Sequence, residues 1–217
     1  MRRGINAAAY GTRGLNVPRQ PNARDLVVLV HGLGRSRCSM VGLAYTLKRG
    51  GFRVLNWGYS STRFQIAELG KRLQSVVQSQ RGTAGCIHFV GHSLGNIIVR
   101  WALTQGSPPA DVGRVVMIAP PNQGARAADR FAPWLGWWLR PLREIGTDSL
   151  STALQLPVPE QVDIGVIAGS RDGKVSVAES HLAGESDHIV VRSAHTFVMF
   201  RTDVRRLTLR FLREGRF

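Results

Sequence analysis

Ser93 sits in Gly91-His92-Ser93-Leu94-Gly95, where the apolar run Cys86–Val90 gives way to Ile97, Ile98, Trp101 and Ala102 at helical spacing. A serine between two glycines at a strand-to-helix turn is the G-x-S-x-G nucleophile elbow. The turn is so tight that a side chain at either glycine would strike neighbouring backbone, and the serine hydroxyl is pushed out above the sheet. Such a hydroxyl attacks an acyl carbonyl only if a base takes its proton and a third group orients that base. In a parallel sheet both should follow strands, because ligands bind beyond the carboxyl ends. Asp172 follows Ile164–Ala168, whereas Asp163 and Asp187 precede strands. His195 follows the strand-like run that reaches Ala194; His88 lies inside a strand, His188 opens one, and His181 falls nine residues after Asp172 in what reads as a helix. His195 is therefore expected to take the Ser93 proton, with Asp172 holding the imidazole tautomer and favouring the imidazolium.

Acyl chemistry also needs a place for negative charge to form. His31-Gly32-Leu33-Gly34 follows the first strong strand, so the backbone N–H groups of Leu33 and Leu94 are the expected oxyanion donors. His31 and His92 flank those donors and read as structural.

The elements that must position these groups alternate along the chain. Leu26–Val30 is a continuous apolar run, as expected of a parallel strand covered on both faces. Met40, Leu43, Ala44 and Leu47 then fall at helical spacing, and Gly50-Gly51 stops that helix. A strand over Phe52–Trp57 and a helical stripe of Ile66, Leu69, Leu73, Val76 and Val77 precede the elbow. Beyond the elbow helix come strands at Val112–Ala119, Ile164–Ala168 and Asp187–Val191 and a helix at Val204–Leu212. Strands alternating with crossover helices predict an α/β fold with a mostly parallel sheet of about six strands and helices on both faces. Residues 1–24 carry little pattern and read as an irregular arm, and residues 25–217 as one domain.

The long connection after the fourth strand, about residues 122–161, reads as an insertion. It gathers Phe131, Trp134, Leu135, Trp137, Trp138, Leu139 and Leu142, so three of the five tryptophans fall within five residues. Trp134, Trp137 and Trp138 fit a cap that roofs an acyl pocket and touches lipid, or a helix packing its aromatics into the core.

Composition bounds the remaining possibilities. Net charge is +15, with three lysines among the 29 basic residues. The arginines are dispersed, and no aromatic-basic module appears, so a nucleic-acid partner is not expected. Met1-Arg2-Arg3 is followed by small and polar residues without an apolar h-region, which reads as a cytoplasmic chain with no transmembrane segment. Cys38 and Cys86 fall at opposite ends of the expected sheet, so no bridge between them is expected.

Taken together, His31-Gly32-Leu33-Gly34, Gly91–Gly95, Pro120-Pro121-Asn122-Gln123-Gly124, Asp172-Gly173-Lys174-Val175 and Ala194-His195-Thr196-Phe197 resemble the bacterial α/β-hydrolases of the lipase/esterase group. The order Ser93, Asp172, His195 is that fold's order. The resemblance implies hydrolysis of carboxylic esters without a cofactor or metal, on a small-molecule ester or lipid with an apolar part. Asn96 departs from it, since many lipases carry a second glycine there. Transfer of the acyl group to an alcohol by the same triad, and a binding protein that keeps the fold without the chemistry, stay open at this level. So do acyl-chain length and oligomeric state.

Overall fold

The computed structural model describes residue 22 and residues 24–80, 82–106 and 111–217. Most of the arm expected over residues 1–24 lies outside the described residues. Among the described residues, six strands form one sheet: β1 (Leu26–Val30), β2 (Arg53–Trp57), β3 (Ile87–His92), β4 (Val112–Ile118), β5 (Ile164–Gly169) and β6 (Asp187–Val191). Their spatial order is β2-β1-β3-β4-β5-β6, and every neighbouring pair is parallel. Seven α-helices among the described residues connect or flank them: α1 (Val41–Arg49), α2 (Ile66–Gln78), α3 (Leu94–Thr104), α4 (Arg126–Leu135), α5 (Thr152–Gln155), α6 (Val177–Ser180) and α7 (Thr202–Glu214).

The period-two geometry of β1 shows why its run is wholly apolar. Leu26, Val28 and Val30 enter the core beneath α2 and α3, while Val27 and Leu29 enter the second core with residues of α1 and α7. All five are at most 2% exposed, so a polar residue at any of them would lose its water without gaining a partner. The expected strands and main helices are present with ends shifted by a residue or two. One placement differs: α6 stops at Ser180, so His181 caps a four-residue helix instead of lying within a longer one. The Ser176–Glu179 capping box accounts for so short a helix.

The chain leaves β1 toward β2 on one side and returns to β3 on the other, so the strand order reverses between β1 and β3. The loops beyond these two strands diverge and open a crevice there. The connection from β4 to β5 lies over it, and its attachment is polar. Arg100 of α3, 2% exposed, donates to the carbonyls of Asn122, Ala153 and Leu156 at 3.4, 3.1 and 2.6 Å. Burial lowers its pKa to about 10. Glu144 accepts the Ile66 N–H at 3.2 Å, supplying the first turn of α2 with the acceptor its own N-cap, Gln65, does not provide. Arg100→Met is expected to lower stability by about 2–3 kcal/mol, since it leaves carbonyls buried without a donor. Urea unfolding measures this, and an unchanged midpoint would count against an anchoring role.

Candidate active site

The site begins with an unfavourable backbone. Ser93 has φ 51° and ψ −123°, a region that side chains rarely enter, between the last residue of β3 and the first of α3. Its neighbours hold it there. A Cβ at Gly95 would lie 2.2 Å from the Val30 carbonyl oxygen, so only glycine lets α3 start this close to β1. A Cβ at Gly91 would lie 2.3 Å from Asn96 Oδ1. Asn96 is fully buried, and its Nδ2 donates to the carbonyls of Ser93 and Ile118 at 3.1 and 3.0 Å. The position that departs from the lipase pattern thus closes the elbow with a side-chain amide, and helix packing accommodates it.

Three side chains distant in sequence meet at this point. His195 Nε2 lies 2.9 Å from Ser93 Oγ, and His195 Nδ1 lies 2.6 Å from Asp172 Oδ2. The other carboxylate oxygen of Asp172 accepts the N–H groups of Lys174 and Val175 at 2.8 and 2.9 Å. A carboxylate that accepts on both oxygens fixes the imidazole as the tautomer with its proton on Nδ1. Nε2 is then a lone pair facing the hydroxyl. Ser93 and His195 are 8% and 7% exposed, and the Asp172 side chain is fully buried.

The loop after β1 is braced from two directions. Tyr59 Oη donates to the His31 carbonyl at 2.5 Å and stacks on the His31 ring, and Ser61 Oγ accepts the Gly34 N–H at 3.0 Å. The Arg35 N–H is used by the Gly32 carbonyl. Leu33 of that loop lines the crevice, and Leu94 opens α3, where the first N–H groups have no partner within the helix. In the sequence Tyr59 and Ser61 stand in the Gly58–Thr62 stretch after β2, and nothing local to them signals a bracing role.

His92 Nε2–H donates to the His195 carbonyl at 3.2 Å, tying the elbow to the loop that carries the imidazole. Burial, reinforced by the adjacent His195, keeps the His92 pKa well below 6.5. Above pH 6.5 both folded and unfolded chains hold this group neutral, and its contribution is fully present. As pH falls below 6.5 the unfolded chain gains a proton that the folded one refuses, so stability drops by about 1.4 kcal/mol per pH unit. His31, lowered by burial, acts in the same direction. His92→Asn should therefore show a shallower loss of unfolding free energy between pH 6.5 and about pH 5 than the parent chain. Parallel slopes would contradict this.

A cavity of about 360 Å³ opens over Ser93 and His195. The β4–β5 connection supplies Phe131, Leu135, Leu139, Leu142 and Ile145 to its lining, and the loops after β1 and β5 supply Arg35 and Lys174. Trp134, Trp137 and Trp138 do not line it. They are 79%, 78% and 61% exposed, which also removes them from the core. Ala127, Phe131 and Leu135 share one face of α4 at intervals of four, so Trp134 falls on another, and Trp137 and Trp138 follow the end of the helix.

Comparison with known proteins places this geometry among solved folds. The family described as Putative serine esterase (DUF676) matches residues 20–119, which include the loop after β1 and the elbow. A Bacillus licheniformis lipase, BlEst2 in mature form, is 16% identical, with 92% of this chain and 96% of that chain covered and a TM-score of 0.74. A metagenomic carboxyl esterase is 21% identical over 88% of this chain and 70% of that one, with a TM-score of 0.61. A structure described for carboxylesterases of Nitrososphaera gargenis is 17% identical over 88% and 91%, with a TM-score of 0.61. No curated protein matches the chain in sequence. The chain has the α/β-hydrolase fold. In this hydrolase fold the crevice between β1 and β3 is the site described above. No helix among the described residues is long and apolar enough to cross a membrane.

Proposed function

We propose that this α/β-hydrolase-fold protein is a serine carboxylic-ester hydrolase of class EC 3.1.1 that works through an acyl-enzyme on esters with an apolar acyl or alcohol part. The observation that carries this reading is the unbroken hydrogen-bond path from Ser93 Oγ through His195 to Asp172. Ser93 Oγ attacks the carbonyl carbon as its proton passes to His195 Nε2. The oxyanion accepts the N–H groups of Leu33 and Leu94. When the ester C–O bond breaks, the imidazolium returns the proton to the departing alcohol. Water, deprotonated by the same imidazole, then releases the acid and restores the serine.

Residues 25–217 act as one domain in this reading, with about 122–161 roofing the pocket, and the cytoplasm is the compartment expected for it. Phe131, Leu139 and Leu142, not the tryptophans, contact the acyl chain. Leu142→Trp should shorten the longest acyl chain accepted, whereas glutamines at Trp134, Trp137 and Trp138 together should leave the chain-length profile of p-nitrophenyl esters unchanged. A profile altered only by the glutamine variant would reverse that assignment.

The direct test is p-nitrophenyl ester turnover together with fluorophosphonate labelling, the labelled residue located by mass spectrometry. Labelling at Ser93 is expected, and a protein that neither turns over esters nor takes the label would refute the reading.

A further inference from the structure

Arg35 and Lys174 stand out among the residues lining the cavity, because both are charged and neither side chain has an ion-pair partner among the described residues. Some exposed arginines, Arg72, Arg126 and Arg201, reach a carboxylate and others, such as Arg37 and Arg63, form no ion pair among the described residues, so what sets Arg35 and Lys174 apart is their place in the cavity lining. The Asp172 carboxylate, two residues from Lys174, is fully buried, with both oxygens already occupied by His195 and backbone N–H groups. Arg35 is half-buried on the loop after β1 and Lys174 is exposed on the loop after β5, so the two approach the cavity from separate elements. Their charges reach the centre of the site, since both oppose protonation of His92. A pocket that holds two unneutralised cations and no available carboxylate favours a ligand bearing negative charge.

Apart from His92, Ser93, His195 and Thr196, the rest of the lining is apolar. Phe131, Leu139 and Leu142 come from the β4–β5 connection, while Lys174 belongs to the loop whose Asp172 orients His195. The departing alcohol oxygen must lie on the His195 side, because it receives its proton from that imidazole. Lys174 shares its loop with Asp172 and so stands on that side, Arg35 joins the lining from the loop after β1, and the apolar residues of the β4–β5 connection are left for the acyl chain.

We infer that the preferred substrates join an apolar acyl group to an alcohol carrying phosphate or carboxylate, with Arg35 and Lys174 meeting the anion. This rests on the hydrolase reading above and names its substrate class.

The experiment uses one medium-chain fatty acid esterified to glycerol, glycerol phosphate, glyceric acid or choline, with kcat and KM measured for each at low and high salt. The glycerol phosphate or glycerate ester should exceed the glycerol ester in kcat/KM by about tenfold, chiefly through KM, with the choline ester poorest. Added salt should narrow the gap, as Lys174 is exposed and Arg35 only half-buried. In the R35Q/K174Q double variant the ratio of anionic to neutral ester should fall toward one. Equal turnover of neutral and anionic esters by the parent protein would overturn this inference and leave the hydrolase reading standing. A preference that survives in the double variant would overturn the assignment to these two residues. No turnover of any ester and no fluorophosphonate label at Ser93 would refute the underlying reading.

Discussion

Ser93→Ala is expected to lose ester turnover by a factor on the order of 10⁵–10⁶ and to lose fluorophosphonate labelling completely. What remains reflects the backbone donors and the pocket, which hold the carbonyl near water without a nucleophile. Folding should be almost unaffected. Alanine keeps the Cβ that already occupies φ 51°, the contacts of Asn96 are to backbone carbonyls, and His195 keeps its bonds to Asp172 and His92. Matched thermal unfolding of parent and variant separates the two effects. Turnover undiminished by the substitution would remove Ser93 from the reaction, whatever the geometry around it.

Asp172→Asn is the more informative change, because the structure dictates how the amide must sit. Oδ1 accepts the N–H groups of Lys174 and Val175, so the amide oxygen of asparagine is required there and its NH₂ is turned toward His195. An NH₂ facing Nδ1 forces the imidazole proton onto Nε2, the atom that must be bare to take the Ser93 proton. A loss in kcat of about 10⁴ is expected with the chain still folded. Activity within a few-fold of the parent would mean another acid orients the imidazole.

The sequence carried the sheet well, because a strand with helices on both faces must be apolar at every residue, and β1 and β5 show this directly. The meeting of Ser93, Asp172 and His195 at one point was legible as well, since strand ends discriminate among acids and histidines that composition treats alike. Two kinds of feature were hidden. The first is the direction a side chain takes from an element whose type was read correctly: Trp134 lies three residues from Phe131 on α4, yet only Phe131 lines the cavity. The second is pairing across long separations. Arg100 reads as an out-of-place charge in an apolar helix until the carbonyls of Ala153 and Leu156 are brought to it. Asn96 reads as a departure from the glycine pattern until the Ile118 carbonyl lies beside it. Lys174 and Arg35 are unremarkable among the dispersed basic residues, and only their place in the lining of the cavity distinguishes them.

The uneven distribution of indoles has an optical consequence. Trp57 is buried and Trp101 partly so, while the other three face water, so long-wavelength emission accessible to a soluble quencher should dominate the native spectrum. A molecule entering the cavity would leave that signal almost untouched, whereas anything settling on the outer surface of the roof would shift it, and one fluorimeter trace would tell the two events apart.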